Sequence, residues 1–313
     1  MGRRRDTTRF DIKPSIPTDY LQHSSCSFAI EATAARKSGQ DRNGSDRFGA
    51  STILLFTMIS VNALACCLVG IWFLTLGAHT IEGKDLPTSF EKCHRNDPQF
   101  DQCLRSAVNG AIRLLKDGLP DFGILPLEPL AVDSLVIEQG EPSSPIKLKQ
   151  HFTNVRLSHL TESTILKYRT DLKKLIIKAE AITPQIEFAG NYTMDGRILV
   201  LPITGKGLAN ITLHRLKTHH ELIGELVERN GEQYMHIRKY LVHFEPKLVT
   251  FQFGNLFNGD ERLGKTMHQV LNDNWEVVFR ELRSSYEDTF GYIFKKISNQ
   301  IFLKVPMNKI FPQ

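Results

Sequence analysis

VTFQFGNLFNGDERLGKTMHQVLNDNWEVVFRELRSSYEDTFGYIFKKISNQI, residues 249–301, starts as an alternating apolar segment and continues as a helical stripe. Val249, Phe251 and Phe253 alternate with Thr250 and Gln252, the pattern of a strand with one buried face. Asn255 to Asp260 is rich in turn formers. Beyond it Leu263, Met267, Val270, Leu271, Trp275, Val278, Leu282, Tyr286, Phe290, Ile293, Phe294 and Ile297 recur at helical spacing, with no proline before Pro306. The spacing predicts one continuous helix of about 35 to 40 residues, about 55 Å long. A stripe that long needs a large cover, and the candidates are the strands that precede it.

Working back from this stretch, residues 146–253 read as strand after strand. Breaks are predicted at Thr183 and Pro184, Met194 to Arg197, Gly205 to Gly207, Asn230 and Gly231, and Glu245 and Pro246. Asn230-Gly231, between Leu222–Glu228 and Gln233–Phe244, is the clearest two-residue hairpin signal. Sequential hairpins imply an antiparallel meander. Leu172 to Glu180 alternates, with Lys174, Lys178 and Glu180 opposite Leu175, Ile177 and Ala179, whereas Ile198 to Ile203 is apolar on both faces. Upstream, Phe100, Cys103, Leu104, Ala107, Val108, Ala111, Leu114 and Leu115 predict a first helix that starts after Asp97 and Pro98 and stops at Gly118 and Pro120; Val132 to Ile137 reads as a strand. The class is therefore α+β: a long C-terminal helix wrapped by a strongly curved antiparallel sheet, since curling is the simplest way for one sheet to bury one helix. Imperfect filling of such a wrap leaves a lipid-shaped cavity.

Residues 1–50 are polar, and residues 51–78 carry no charged side chain, about the length that crosses a bilayer. The tail holds 9 Lys and Arg against 6 Asp and Glu, so most of the net +5 belongs to it and not to the body, residues 79–313. No clustered basic face argues for nucleic acid. Arg36, Lys37, Arg42 and Arg47 before the apolar segment, and Glu82 and Asp85 after it, put the body outside the cytosol. Both a cleaved signal and a retained anchor give that orientation. We expect a secreted mature chain, with Met58 as an alternative start and a cut near Ala78; membrane attachment would arise only through residues 51–78 left uncleaved. Beyond that segment only Cys93 and Cys103 remain, and outside the cell they are expected to form one disulfide. Asn191 and Asn210 open glycosylation sequons; Asn43 opens another in the tail.

Chemistry-bearing motifs are few. His214, His219 and His220 lack a completing Cys or carboxylate set, and adjacent strand residues face opposite ways, so they read as a solvated face and no metal is expected. Gly205 to Asn210 lacks the third glycine of a dinucleotide loop and reads as a turn; Asp260 reads as a helix cap, not a calcium ligand. No Gly-x-Ser-x-Gly elbow occurs, no cofactor is expected, and the chain reads as a non-enzyme and a monomer. Residues that would line a cavity are Leu199, Leu201, Val249, Phe251 and Phe253 on strands and Met267, Leu271, Trp275 and Val278 on the helix. Plain core packing is the competing reading for each. Met267 and Trp275 stand out, because thioether and indole adapt to irregular ligands.

Ordered motifs over residues 86–312 resemble the insect takeout and juvenile-hormone-binding proteins. They are Cys93 with Cys103, Leu115 to Pro120, Pro126 to Leu130, Gly190 to Tyr192, Leu199 to Ile203, Gly205 to Gly207, Asn255 to Asp260, Leu263 with Gly264, and Asn272 to Trp275. Leu125 and His268 depart from that pattern, which often has Pro and Asn there. The resemblance implies a curved sheet rolled around a long helix, an internal tunnel for terpenoid or fatty acyl ligands, secretion, one disulfide near the N-terminus, and no catalysis.

Overall fold

The computed structural model describes residues 83–139 and 144–313. The expectations for residues 1–50 and 51–78, and for the Asn43 sequon, lie outside the described residues. In chain order the elements are α1 (Phe100–Leu114), β1 (Leu130–Gln139), β2 (Ile146–Ser158), β3 (Thr164–Asp171), β4 (Ile176–Ile198), β5 (Leu201–Arg229), β6 (Glu232–Glu245), β7 (Leu248–Phe253), α2 (Glu261–Asp273), α3 (Trp275–Phe302) and the short α4 (Met307–Ile310). All seven strands form one antiparallel sheet in the order β1-β2-β4-β5-β6, with β3 paired to β4 and β7 to β5.

β4 and β5 have 23 and 29 residues, about 75 Å and 95 Å if they ran straight. They do not run straight. Ser285 on α3 donates to the Glu138 carbonyl of β1, and Asn299 and Glu287 on the same helix bond Ile237 and Phe244 of β6. The two ends of the strand order thus both reach α3, which is possible only if the sheet rolls around it. The α+β architecture expected from the sequence is the one observed.

Three free strand edges, those of β3, β7 and β6, are closed by helices. Asn109 of α1 takes the Ile165 N–H and returns its amide to the Ile165 carbonyl (2.7 and 3.2 Å); Asn272 of α2 does the same for Phe251 (2.8 and 3.1 Å), and Asn299 of α3 for Ile237 (2.8 and 2.9 Å). A carboxamide offers an acceptor oxygen and a donor nitrogen side by side, so it reproduces a ladder partner and satisfies backbone groups that packing has cut off from water. His268, the departure from the resembling pattern, still accepts the Phe253 N–H at 2.8 Å.

Three sequence expectations are corrected. The single long helix is two, broken at Asn274 (φ −114°, ψ 24°), whose side chain donates to the Val270 carbonyl at 2.8 Å alongside its own backbone N–H. An Asn that competes for the i−4 carbonyl favours leaving the helix, and the break lets α2 follow β7 while α3 follows β6. Second, Thr183-Pro184, Met194–Arg197 and Gly205–Gly207 do not end strands; they lie inside β4 and β5. Pro184 is tolerated because β4 changes neighbour there, from β3 (up to Ile182) to β2 (from Glu187), leaving no ladder bond for the missing N–H. Third, hairpins sit where continuous strands were expected: residues 172–175 turn between β3 and β4, with Leu175 at φ 55°, and Leu199-Val200 turns between β4 and β5, with Leu199 at φ 54°. Asn230 (φ 52°) and Gly231 (φ 77°) form the anticipated hairpin.

Candidate binding cavity

Opposite Pro184, β5 also changes neighbour, from β7 (ending at His214) to β6 (from Lys217), and Arg215 takes φ 48°. At this waist the inward face of both long strands switches parity. Ile177, Ala179, Ala181 and Thr183 point inward on β4, then Ile186 and Phe188; Ile211 and Leu213 point inward on β5, then Leu216, Thr218, His220 and Leu222. The roll therefore has two halves with different interiors.

The half formed by β1, β2, β7 and the adjoining parts of β4 and β5 is solid. Ile137, Ile146, Phe152, Tyr192, Ile198, Ile203, Leu271 and Leu282 are almost fully buried there. Phe152 meets Phe188 edge-on at 4.9 Å, and the Tyr192 hydroxyl donates to the Gly254 carbonyl at 2.8 Å, its phenol pushed up to about 12 by burial. The other half, between α1, β3 to β6 and α3, holds a cavity of about 410 Å³, within the size range of small-molecule sites. Its wall is aliphatic and aromatic: Leu104, Ala107 and Ala111 of α1, the inward β4 and β5 residues, and Phe290, Phe294, Ile297 and Ile301 of α3. Gly291 sets how closely α3 approaches this wall, since a Cβ there would lie 2.6 Å from the Tyr240 carbonyl oxygen.

At one end the wall is made by Leu86, Phe90 and Glu91 from the segment before α1 and by Ile310 and Phe311 from the C-terminus. These are tied together: the Arg95 N–H donates to the Pro312 carbonyl and its guanidinium to that of Phe311, both at 2.8 Å, and Cys93 is disulfide-bonded to Cys103 of α1.

One corner is polar. Tyr168, Ala179, His220 and Val242 share a rung across β3, β4, β5 and β6, and the small Ala179 leaves open space between Tyr168 and His220. Thr218 Oγ1 lies 2.7 Å from His220 Nε2 and Tyr240 Oη 3.0 Å from His220 Nδ1. The accessible part of the imidazole faces the cavity, not bulk water; burial, and then the charge of His219, push it down to about 4, so it is neutral at physiological pH. Burial, with Asp101 second for Tyr168 and Tyr168 second for Tyr240, raises both phenols, which stay protonated donors. Elsewhere on the wall Ser163 bonds Thr183 at 2.7 Å and the Tyr286 hydroxyl donates to Gln150 at 3.2 Å.

Of the nine cavity-lining residues expected from sequence, Phe251 lines this cavity. Val249, Phe253, Met267, Leu271 and Val278 are buried in the solid half and Trp275 packs against it half-buried; Phe253, with Phe251, also borders a more open depression beside Leu208. Leu199 lies in the β4–β5 turn and Leu201 opens β5 after it, Leu201 exposed. The helical stripe does reach the cavity, but through its second half, because α3 passes from the solid half to the hollow one. His220 was expected on a solvated face. Its alternation with His219, which faces outward to Glu245 at 3.5 Å, was the signal that one of the pair is inside. Asn191 and Asn210 are exposed on the neighbouring strands β4 and β5.

Comparison with known proteins gives concordant findings. The model of the haemolymph juvenile hormone binding protein family matches residues 66–312. The circadian clock-controlled protein daywake of Drosophila yakuba is 25% identical over 260 residues, covering 81% of this chain and 99% of that protein. The protein of the same name from Drosophila melanogaster is 26% identical over 231 residues, covering 72% and 88%. The crystal structure of Epiphyas postvittana Takeout 1 superposes with a TM-score of 0.63 at 31% identity, over 71% of this chain and all of that one.

Proposed function

Since this chain belongs to the haemolymph juvenile hormone binding protein family, we propose that it is a secreted carrier holding one small hydrophobic ligand, a juvenile-hormone-like terpenoid or a fatty acyl compound, in the cavity between α3 and the rolled sheet. The family and the fold are those of binding proteins rather than enzymes. The observation that carries the reading is a largely apolar, partly open space of about 410 Å³ in a body whose other half is closely packed. At about 25 cal/mol per Å², burying some 400 Å² of ligand provides on the order of 10 kcal/mol before ordering costs, enough for submicromolar affinity. No reactive group beyond hydroxyls and imidazole is needed, because the carrier's work is exclusion of water.

Secretion is supported by the uncharged segment 51–78 as a signal, by the disulfide Cys93–Cys103, and by the exposed sequons at Asn191 and Asn210, which we assign as glycosylation sites. Residues 1–50 are then a leader, and residues 79–313 the ligand-binding domain, acting as a monomer. The clock-controlled relatives support a role in clock-regulated ligand traffic. Native mass spectrometry of gently purified protein, with displacement of a neutral hydrophobic fluorophore by terpenoids and fatty acyl compounds, tests the carrier. A protein with no copurifying lipid and no probe binding would not be one. Carbonate extraction of expressing cells tests secretion; retention in the membrane fraction would instead make residues 51–78 an anchor.

A further inference from the structure

The carrier reading leaves the ligand's chemistry open, and the polar corner narrows it. Thr218, His220 and Tyr240 form a chain in which both ring nitrogens are engaged by hydroxyls, at 2.7 and 3.0 Å. With a neutral imidazole the three groups own three polar hydrogens, one each, and the two bonds between them use two. If Nε2 carries the ring proton, the Tyr240 hydroxyl donates to Nδ1 and the Thr218 hydrogen is left over; in the other tautomer Thr218 donates to Nε2 and the Tyr240 hydrogen is left over. Either way one hydroxyl hydrogen needs an acceptor. Tyr168, across the gap left by Ala179, bonds no other described residue through its hydroxyl and adds a second donor. The corner is thus rich in hydroxyl donors, and both imidazole nitrogens are already taken.

Charge decides which acceptor fits. Among the described residues lining the cavity there is no Lys or Arg, and the one charged side chain is Glu91, an anion at the end. A carboxylate brought to this corner would give up its hydration without a counter-ion, which hydrogen bonds from two or three hydroxyls offset only in part. An ester, ketone or ether oxygen accepts the same hydrogens without that cost. Resting on the carrier reading above, we infer that Thr218, His220, Tyr240 and Tyr168 form the seat for one uncharged acceptor group of the ligand, so that the cavity takes neutral lipids bearing an ester, ketone or ether oxygen and rejects the corresponding free acids.

The test is displacement of N-phenyl-1-naphthylamine at neutral pH by three compounds of matched chain length: palmitic acid, its methyl ester and the plain hydrocarbon. The ester is expected to compete at least ten-fold better than the acid and several-fold better than the hydrocarbon. Tyr240→Phe combined with Tyr168→Phe keeps both rings and removes two of the four polar hydrogens of the corner, so it should cut the ester's advantage over the hydrocarbon by at least half while leaving hydrocarbon binding in place. If the double variant does not fold, Thr218→Val with Tyr168→Phe carries the same comparison. An acid that competes as well as the ester in the wild type, or an ester advantage that survives the hydroxyl deletions undiminished, overturns the assignment while the carrier stands. Failure of the probe and of all three compounds to bind sinks the carrier reading and this one with it.

Discussion

The two halves of the roll share β4, β5 and α3, yet one is filled and the other hollow. In the solid half the inward positions are dense with large residues: Phe152 against Phe188, Tyr192 against Phe253, and Ile146, Ile198 and Ile203 with almost no accessible surface. In the hollow half small residues interrupt the wall, Ala179 and Ala181 on β4 and Ala107 and Ala111 on α1, and the large ones stand apart around a void. Native interiors pack like molecular crystals, so an unfilled apolar volume forfeits dispersion contacts on every side. The comparison teaches that strand pairing and edge closure hold the hollow half together where side-chain packing does not, and that the void is a ligand's share of the core.

The sharpest way to break this comparison is to truncate one large residue in each half. Phe152→Ala, in the solid half, is expected to cost about 3–5 kcal/mol in denaturant unfolding. Phe294→Ala, on the cavity wall, should cost about 1–2 kcal/mol, since its ring already borders open space and loses less area from burial. Equal losses would mean that the two interiors are packed alike. Next in size is the disulfide, which ties the segment before α1 to the hollow half: Cys93→Ser with Cys103→Ser should lower stability by about 2–3 kcal/mol by the chain-entropy argument. Hydrogen exchange should then quicken around Leu86 to Asp97 and the C-terminal residues, with the solid half unchanged.

The last expected effect is a pH dependence, read as a change of slope. The folded protein holds His220 down at about 4 against an ordinary 6.5, so in the window between them the unfolded chain binds the extra proton. Stability then falls as pH drops from about 6.5 and levels off below about 4, where both states are protonated. His159 works in the opposite sense, since its bond to Glu162 raises it. The signal is therefore the difference between the wild type and His220→Leu, the variant showing the shallower slope through that window. Parallel curves would place His220 in contact with bulk water and weaken the account of a dry polar corner.

Much of the architecture was legible in local chemistry. Asn230-Gly231 required a tight hairpin, because both residues adopt positive φ at little cost. Asp260, read as a cap, accepts the Leu263 N–H at 2.9 Å. The apolar stripe from Leu263 to Ile297 demanded a sheet to cover it, and the ordered motifs between Cys93 and Pro312 pointed to the family. Local signals misled where long-range pairing overruled them. Pro184 and Gly205 lie inside long strands because neighbouring strands leave a gap at one and close approach is needed at the other, and Asn274 broke a helix whose spacing runs on without interruption.

The sequence by itself determined the α+β class, the antiparallel pairing, the helical stripe, and the kind of surface it buries, because each follows from periodicity and from what single residues allow their own backbone to do. Only the tertiary structure decided where that buried surface is complete and where it encloses space. Met267, Leu271 and Val278 carry the same stripe as Phe290, Phe294 and Ile301, yet the first three meet a filled wall and the others an open one. The difference lies in the switch of inward parity at Pro184 and Arg215 and in the small residues that α1 and β4 present across the roll. A cavity is a mismatch of volumes among elements distant in sequence, and no local pattern records it.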